Sequence, residues 1–261
     1  MALELELEII GAGFLIGFLL GLTGIGGGAL MTPFLILVMR LNTVTAIGTD
    51  LAFAFITKSV SAIQHRRQKT VWLRPAFFIS LGSVPASLAA SWFVVSQVHN
   101  SDWVEKILPR LLGGMLIVVS LLVAARALGW IKARGGEHRE RWPTWWQDIL
   151  LGAFMGALIG LTSVGSGTML VAVLLLFFVV PPEHLVGLNV LVGAVLAFFP
   201  ALTYAYHGFV NWGLLTQILI GAIPGSILGA RLVTKAPTKA IRLLLSALVL
   251  LAGVRLLMGV V

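Results

Sequence analysis

A glycine-rich segment with hydroxyl side chains occurs twice in this sequence, 139 residues apart. Residues 17–28 read GFLLGLTGIGGG, and residues 156–167 read GALIGLTSVGSG. Both copies lie within apolar stretches, where a broken helix must have its free backbone groups satisfied by protein or by a water cavity. A helix that restarts after such a break presents unpaired N–H groups and a partial positive charge, which together bind oxyanions. The repeated segment therefore predicts an anion site.

We expect the backbone and hydroxyl donors of both copies, with the polar residues that follow them, to bind the substrate. These residues are Thr23, Gly26, Gly27, Gly28, Thr32 and Thr49 in the first half, and Thr162, Ser163, Gly165, Ser166, Gly167, Thr168 and Asn189 in the second. The alternative is that the glycines only allow close helix packing, since small residues are common where membrane helices meet.

Asp50 is the one carboxylate that the predicted topology places inside a membrane span. A lone carboxylate there is unfavourable and usually functional. Asp50 is a candidate for the coupling proton, and an equally open alternative is a structural role as a helix cap or as a partner of nearby backbone. Lys58 follows in the same run, Gln64 begins the basic loop after it, and both are candidate pathway residues. Lys58 could attract an anion or extend to the membrane surface, and about 12 Å of helical rise argues against direct pairing with Asp50 within that helix.

The composition indicates an integral membrane protein. Of 261 residues, 59% are hydrophobic and 11% are charged, with a mean hydropathy of +1.02. A soluble domain carries about 25% charged residues, so this chain could not shield its apolar surface from water. The acidic start, with Glu4, Glu6 and Glu8 and no small-residue cleavage site, predicts no removed signal peptide.

Ten apolar runs are separated by glycine, proline and charged residues, and six of them are long enough to span a bilayer. The first run, residues 9–22, would reach about 21 Å, short of a hydrocarbon core of about 30 Å. We therefore expect residues 9–39 and 149–180 to form two U-shaped, re-entrant hairpins. The predicted fold is an all-α polytopic membrane protein in which each half has one glycine-broken hairpin and three long transmembrane helices.

Loop charge predicts how these runs cross the membrane. The basic loops at residues 65–74, 126–141 and 231–242 belong in the cytoplasm by the positive-inside rule. The loop that matches 65–74 in the second half, at 207–213, has no Lys or Arg and belongs outside. The two halves would then have opposite orientations, as in the inverted repeats of secondary transporters. We expect a first membrane repeat at 1–130, a cytoplasmic linker at 131–148 and a second membrane repeat at 149–261.

Several classes of function have no signature here. The chain has no cysteine, which excludes disulfides and thiol chemistry. It shows no zinc-protease, phosphate-loop or nucleophile-elbow motif. We expect no enzyme activity, no cofactor and no metal. The net charge of +8 belongs to short loops, so it predicts membrane topology and no nucleic-acid binding.

Several motifs in order resemble the TauE/SafE sulfite-exporter family, also called the 4-toluene sulfonate uptake permeases. The first half carries Gly24-Ile25-Gly26-Gly27-Gly28, Pro33 and Ala46-Ile47-Gly48-Thr49-Asp50. The second half carries Gly165-Ser166-Gly167, Gly187-Leu188-Asn189 and Gly208-Phe209-Val210-Asn211-Trp212. The resemblance covers about residues 11–258. The second half departs from the first, with Ser166 in place of Gly27 and Ala172 in place of Pro33, so the hairpins are not expected to contribute identically.

The resemblance implies an inner-membrane permease for sulfite, sulfoacetate or related organosulfonates. We expect a secondary transporter whose small anionic substrate lies between the two glycine-rich breaks and which works by alternating access. The expected partners are that substrate and the lipid bilayer, with a homodimer as the candidate assembly. An anion channel on the same scaffold is the main alternative, and a membrane-embedded enzyme is a second.

Overall fold

The computed structural model of the chain is all-helical, and no strand occurs among the residues it describes. Those residues are 2–23, 28–67, 73–100, 102–130, 144–165, 167, 169–172, 182–232 and 238–259. The predicted all-α polytopic membrane fold is confirmed. The predicted linker at 131–148 lies outside the described residues except for its last five, and the predicted unit boundaries stay predictions.

Nine helices are numbered here, two of them continuous with a π-helical turn. They are α1 (Ala2–Thr23), α2 (Gly28–Pro33, continued by a π-helical turn at Phe34–Val38), α3 (Thr43–Arg67), α4 (Leu73–Ser96), α5 (Leu108–Ala127, preceded by a π-helical turn at Trp103–Ile107), α6 (Trp145–Thr162), α7 (Pro182–Tyr206), α8 (Trp212–Leu232) and α9 (Thr238–Leu257). Residues 169–172 are helical as well.

Seven helical segments among the described residues are long and apolar enough to cross a membrane. They are Thr43–Ile63, Leu73–Ser96, Trp103–Ala127, Trp145–Thr162, Gly187–Tyr206, Trp212–Gly229 and Lys239–Leu257. α3 and α8 each begin at an asparagine cap. The Asn42 side chain accepts from the backbone N–H of Thr45, and the Asn211 side chain accepts from the backbone N–H of Leu214. Such caps satisfy backbone donors that have no partner within the helix.

The first arms of the two predicted hairpins are longer than the sequence analysis expected. α1 has 22 residues and α6 has 18. α6 begins at Trp145, ahead of the apolar run, because the side-chain oxygen of Gln147 accepts from the backbone N–H of Thr144 at 3.0 Å and fixes the first turn. α6 therefore meets the length of a membrane span, whereas the segment Ala29–Val38 is short, as predicted.

The first helix of each predicted half packs on a helix of the other predicted half. α1 packs most extensively on α8 of the second half, and α6 packs most extensively on α4 of the first. In each pair, glycines of α1 or α6 lie against the backbone of the partner helix. The residue numbers of successive contacts rise together along both helices, so the two helices run parallel. The contacts are Gly13 with Ile218 and Gly17 with Ala222 in one pair, and Gly152 with Ile79 and Gly156 with Ser83 in the other. Each contact is thus repeated at positions 139 residues away.

The other matched helices pack directly on each other in opposite directions. α3 and α7, which the predicted repeat matches to each other, meet where Gly48 lies against Tyr204 and where Lys58 lies against Gly193. The residue numbers of these contacts rise along α3 and fall along α7, so the two helices are antiparallel. α5 and α9 are antiparallel too, with Gly113 against Leu257. The core between these pairs contains the buried polar residues described below.

The glycine contacts yield a prediction with opposite signs at two sites on α1. A Cβ placed on Gly17 would lie 2.6 Å from the Cα of Ala222, whereas a Cβ on Gly11 would meet nothing within 4 Å. Alanine favours a helix interior over glycine by about 1 kcal/mol, but overpacking costs about 1–3 kcal/mol. We expect Gly17→Ala to lower the unfolding temperature in detergent and Gly11→Ala to leave it unchanged or raise it. Equal shifts for both variants would contradict the backbone contact.

Candidate functional site

The Asp50 carboxylate lies where the two halves meet. It sits on α3, has no exposed surface and accepts two hydroxyl hydrogen bonds at the same oxygen, Oδ2. One donor is Thr32 of α2, which follows the first glycine segment. The other is Ser163, at 2.7 Å, which lies within the second glycine segment. A single carboxylate oxygen therefore joins the second repeated segment to the helix that follows the first one.

The second oxygen of Asp50 is in a different situation. Oδ1 is buried and has no hydrogen-bond partner among the described residues. A buried acceptor left in this way is unfavourable by about 1–3 kcal/mol, and buried groups of this kind call for an explanation in terms of function, an ion or water. The junction thus holds one saturated and one open carboxylate oxygen.

Ser163 reaches Asp50 because of an unusual backbone conformation. It ends α6 with φ of 60°, in the left-handed region, and its N–H donates to the carbonyl of Ile159 at 2.7 Å. A residue with a Cβ is rarely found there, and the strain is of order 1–3 kcal/mol. The position matches Gly24 of the first half, so the side chain that contacts Asp50 occurs in only one copy of the repeat.

Several predicted substrate residues lie near this junction but bond within the protein. The Thr162 hydroxyl donates to the carbonyl of Leu158 at 2.7 Å and accepts from the N–H of Val164 at 3.3 Å, which closes the end of α6. The Thr49 hydroxyl accepts from the N–H of Asn211 at 3.0 Å, tying α3 to the start of α8. Asn189 is buried on α7.

Of the remaining predicted substrate and pathway residues, the structure describes some and not others. Gly28 begins α2, and Gly165 follows α6 with φ of 104°. The Gly167 carbonyl accepts from the N–H of Val171 at 3.4 Å. Outside the described residues or side chains lie Thr23, Gly26, Gly27, Gln64, Ser166 and Thr168. The substrate-binding set as a whole therefore stays a prediction.

Lys58 is buried in the same helix as Asp50, at 8% exposure. Its ammonium group lies against Gly193 of α7, which leaves the room that a larger residue would fill. The buried centre of the protein therefore contains one residue of each sign on α3.

Two further buried polar groups lie outside the predicted site residues. Tyr204 is fully buried on α7 and donates from its hydroxyl to the carbonyl of Gly160 at 3.0 Å, tying α7 to α6. Asp148 is 3% exposed, and its Oδ1 has no partner among the described residues. The expectation that Asp50 is the only carboxylate within a span is therefore wrong, because α6 begins four residues before the apolar run and includes Asp148. The polar neighbour Gln147, which fixes that start, was the available signal.

Known proteins of similar sequence are membrane transporters by name. The chain is 30% identical to "Probable membrane transporter protein YjnA" of Bacillus subtilis (strain 168), over 97% of this chain and 100% of the relative. It is 26% identical to "Probable membrane transporter protein MJ0441" of Methanocaldococcus jannaschii, over 99% and 100%. A "Probable membrane transporter protein" of Xylella fastidiosa (strain Temecula1) is 29% identical, over 90% and 87%. No solved structure matches the chain.

The described residues form seven helices that could cross a membrane, and the relatives are named membrane transporter proteins. The protein is therefore a membrane transporter. The sequence profile described as "Sulfite exporter TauE/SafE" matches residues 9–256. The chain belongs to the TauE/SafE sulfite exporter family.

The junction predicts an energetic coupling between Thr32 and Asp50. Thr32→Val removes one donor to a buried carboxylate, so we expect the free energy of unfolding to fall by about 1–3 kcal/mol. In an Asp50→Asn background the same change should have about half that effect, because hydrogen bonds to neutral groups are weaker. Chemical unfolding of the four proteins in detergent measures the difference.

The matched control is Thr203→Val, since among the described residues the Thr203 hydroxyl bonds only to the carbonyl of Phe199 in its own helix. Its effect should stay within about 0.5 kcal/mol. If Thr32→Val has the same effect in the wild-type background as in the Asp50→Asn background, the hydroxyl does not act through the carboxylate.

Proposed function

We propose that this protein is a secondary transporter of small sulfur-containing oxyanions, such as sulfite, sulfoacetate or a related organosulfonate. The observation that carries the proposal is the junction at Asp50, where hydroxyl groups from both glycine-broken segments meet at one buried point. A substrate held between the two segments would contact both halves at once. Membership of the sulfite exporter family supports the substrate class.

Alternating access between inverted halves is part of the same proposal. Its support is the antiparallel packing of α3 on α7 and of α5 on α9, together with the exchanged parallel pairs. Equivalent helices of two inverted units run in opposite directions, as α3 and α7 do and as α5 and α9 do. Broken helices near the middle of such proteins supply the backbone donors and hydroxyls for a substrate.

The chemistry of the junction suits an oxyanion with several acceptor oxygens. α2 begins at Gly28, and the first N–H groups of a helix have no partner within that helix. At the end of α6, Gly165 adds backbone in the left-handed region, whereas the hydroxyl protons of Thr162 and Ser163 are donated to Leu158 and Asp50. Backbone N–H groups can bind a sulfonate, and they are less strongly hydrated than a lysine ammonium group would be.

Ligand-dependent stability is the first test of the substrate class. A ligand that binds only the folded state stabilises it by about 2.7 kcal/mol at a concentration of about 100 times Kd. We expect sulfite or an organosulfonate to raise the unfolding temperature of the purified protein, and acetate to have no effect at the same ionic strength. Sulfate and taurine complete the panel. No shift with any sulfur anion would contradict the proposed substrate class.

Transport assays distinguish a carrier from a channel on the same scaffold. Proteoliposomes loaded with unlabelled substrate should accelerate the uptake of labelled substrate, because a carrier returns faster when it is loaded. Uptake should also saturate. Linear flux with no acceleration by internal substrate, together with single-channel current, would overturn the carrier and favour the channel.

A further inference from the structure

The break at the end of α6 leaves one carbonyl without its usual donor. In a continued α-helix the Gly160 carbonyl would accept from the N–H of Val164, four residues ahead. The Val164 N–H donates instead to the Thr162 hydroxyl at 3.3 Å, after the chain has turned into the left-handed region at Ser163. The Gly160 carbonyl is thus a helix-end acceptor that needs a partner from outside its own helix.

Tyr204 of α7 supplies that partner. Its hydroxyl donates to the Gly160 carbonyl at 3.0 Å, and its side chain is fully buried. A buried hydroxyl or carbonyl that loses its bond is unfavourable, so each group depends on the other. The predicted repeat has His65 at the position that matches Tyr204, so a phenol at this place occurs only in the second half.

Three contacts close a ring around the polar junction. The base of the Tyr204 side chain lies against α3, since a Cβ placed on Gly48 would be 2.8 Å from the Cβ of Tyr204. The other end of the side chain bonds to Gly160 of α6. α6 returns to α3 through the hydrogen bond from Ser163 to Asp50, two residues after Gly48. The Tyr204 side chain is therefore a spacer between α3 and the end of α6.

We propose that Tyr204 is a positioning residue of the substrate site, which holds the end of α6 so that Ser163 keeps its left-handed turn and reaches Asp50. A strained backbone persists only where the surrounding contacts fix it, and the bond to Gly160 is the contact that α7 contributes. The inference rests on the proposed function, because a substrate between the two glycine segments requires the second segment to keep one conformation. Tyr204 acts on the substrate through this backbone.

Tyr204→Phe removes the hydroxyl and keeps the ring that packs. The second segment then has its binding conformation in a smaller fraction of molecules, and the apparent Kd rises in inverse proportion to that fraction. The measurement is the uptake of radiolabelled methanesulfonate into proteoliposomes that contain the full-length protein. We expect KM to rise about fivefold to tenfold, as the loss of one hydrogen bond predicts, and the maximal rate to stay within about twofold.

The split between KM and maximal rate separates positioning from a purely structural role. If the bond only stabilised the fold, Tyr204→Phe would reduce the amount of active protein and lower the maximal rate at an unchanged KM. That result would overturn the inference. The matched control is Tyr206→Phe, since Tyr206 is the only other tyrosine of the chain, lies on the same helix and is 86% exposed. Both kinetic parameters of this variant should equal those of the wild type.

Ser163→Gly tests whether the bond acts through the strained turn. Glycine adopts left-handed backbone without strain, so the turn no longer needs Tyr204 to hold it. In this background Tyr204→Phe should raise KM by less than about twofold. The unfolding temperature in detergent gives the same comparison without transport, and Tyr204→Phe should lower it less in the Ser163→Gly background than in the wild type. Equal effects in both backgrounds would contradict the mechanism.

Fluorine NMR follows the contact without a substitution at Tyr204. The chain has two tyrosines, so labelling with 3-fluorotyrosine gives two resonances, and the one that disappears in labelled Tyr206→Phe belongs to Tyr206. We expect saturating methanesulfonate to shift the Tyr204 resonance and to leave that of Tyr206 in place, because the substrate selects the conformation that Tyr204 holds. A Tyr204 resonance that stays unchanged in protein that binds methanesulfonate would contradict the positioning role.

The failure of the proposed function gives a different result. If the wild-type protein neither binds nor transports any sulfur anion, both proposals fall. If it transports these anions and Tyr204→Phe has the wild-type KM, the substrate class stands and the positioning role of Tyr204 is wrong.

Discussion

Backbone contact at glycine is the constraint on which the rest of the structure depends. In a bilayer the hydrophobic effect does not drive helices together, so close approach of backbones must supply the packing energy. Gly17 and Gly156 allow this approach by lying directly against the backbone of a helix from the other half. These two contacts set the depth and rotation of α1 and α6, and hence the positions at which the glycine-broken segments begin.

The polar junction follows from that placement. Because α6 is fixed against α4, its last turn ends beside α3 and Ser163 can reach Asp50. The fully buried serines on α4 do not compete for the carboxylate, since Ser83, Ser87 and Ser91 each donate to a carbonyl of their own helix. The hydroxyls of α4 are thus already bonded within their helix, and the Asp50 carboxylate accepts from Thr32 and Ser163 instead.

The sequence was sufficient for the helical membrane fold and the burial of Asp50, because hydropathy and residue type determine both locally, whereas the inverted repeat stays a prediction. It did not reveal which helix packs on which, since the partner of Gly17 is Ala222, far along the chain. The glycines had two competing interpretations. Gly17 and Gly156 lie against the backbone of partner helices, which supports packing at those positions, and substrate binding by the other glycines stays a prediction. Asp148 escaped detection because a polar cap, and not hydropathy, sets the start of α6.

The exchange of first helices makes the two halves unequal during synthesis. When α6 leaves the ribosome, its partner α4 is already in the bilayer. When α1 leaves, its partner α8 lies about 190 residues further along the chain, which corresponds to a delay of about 10 to 40 seconds at ordinary rates of translation. During that interval the glycine face of α1 has only lipid or the insertion machinery to cover it. The contact between α1 and α8 therefore forms only after α2 to α7 have been made.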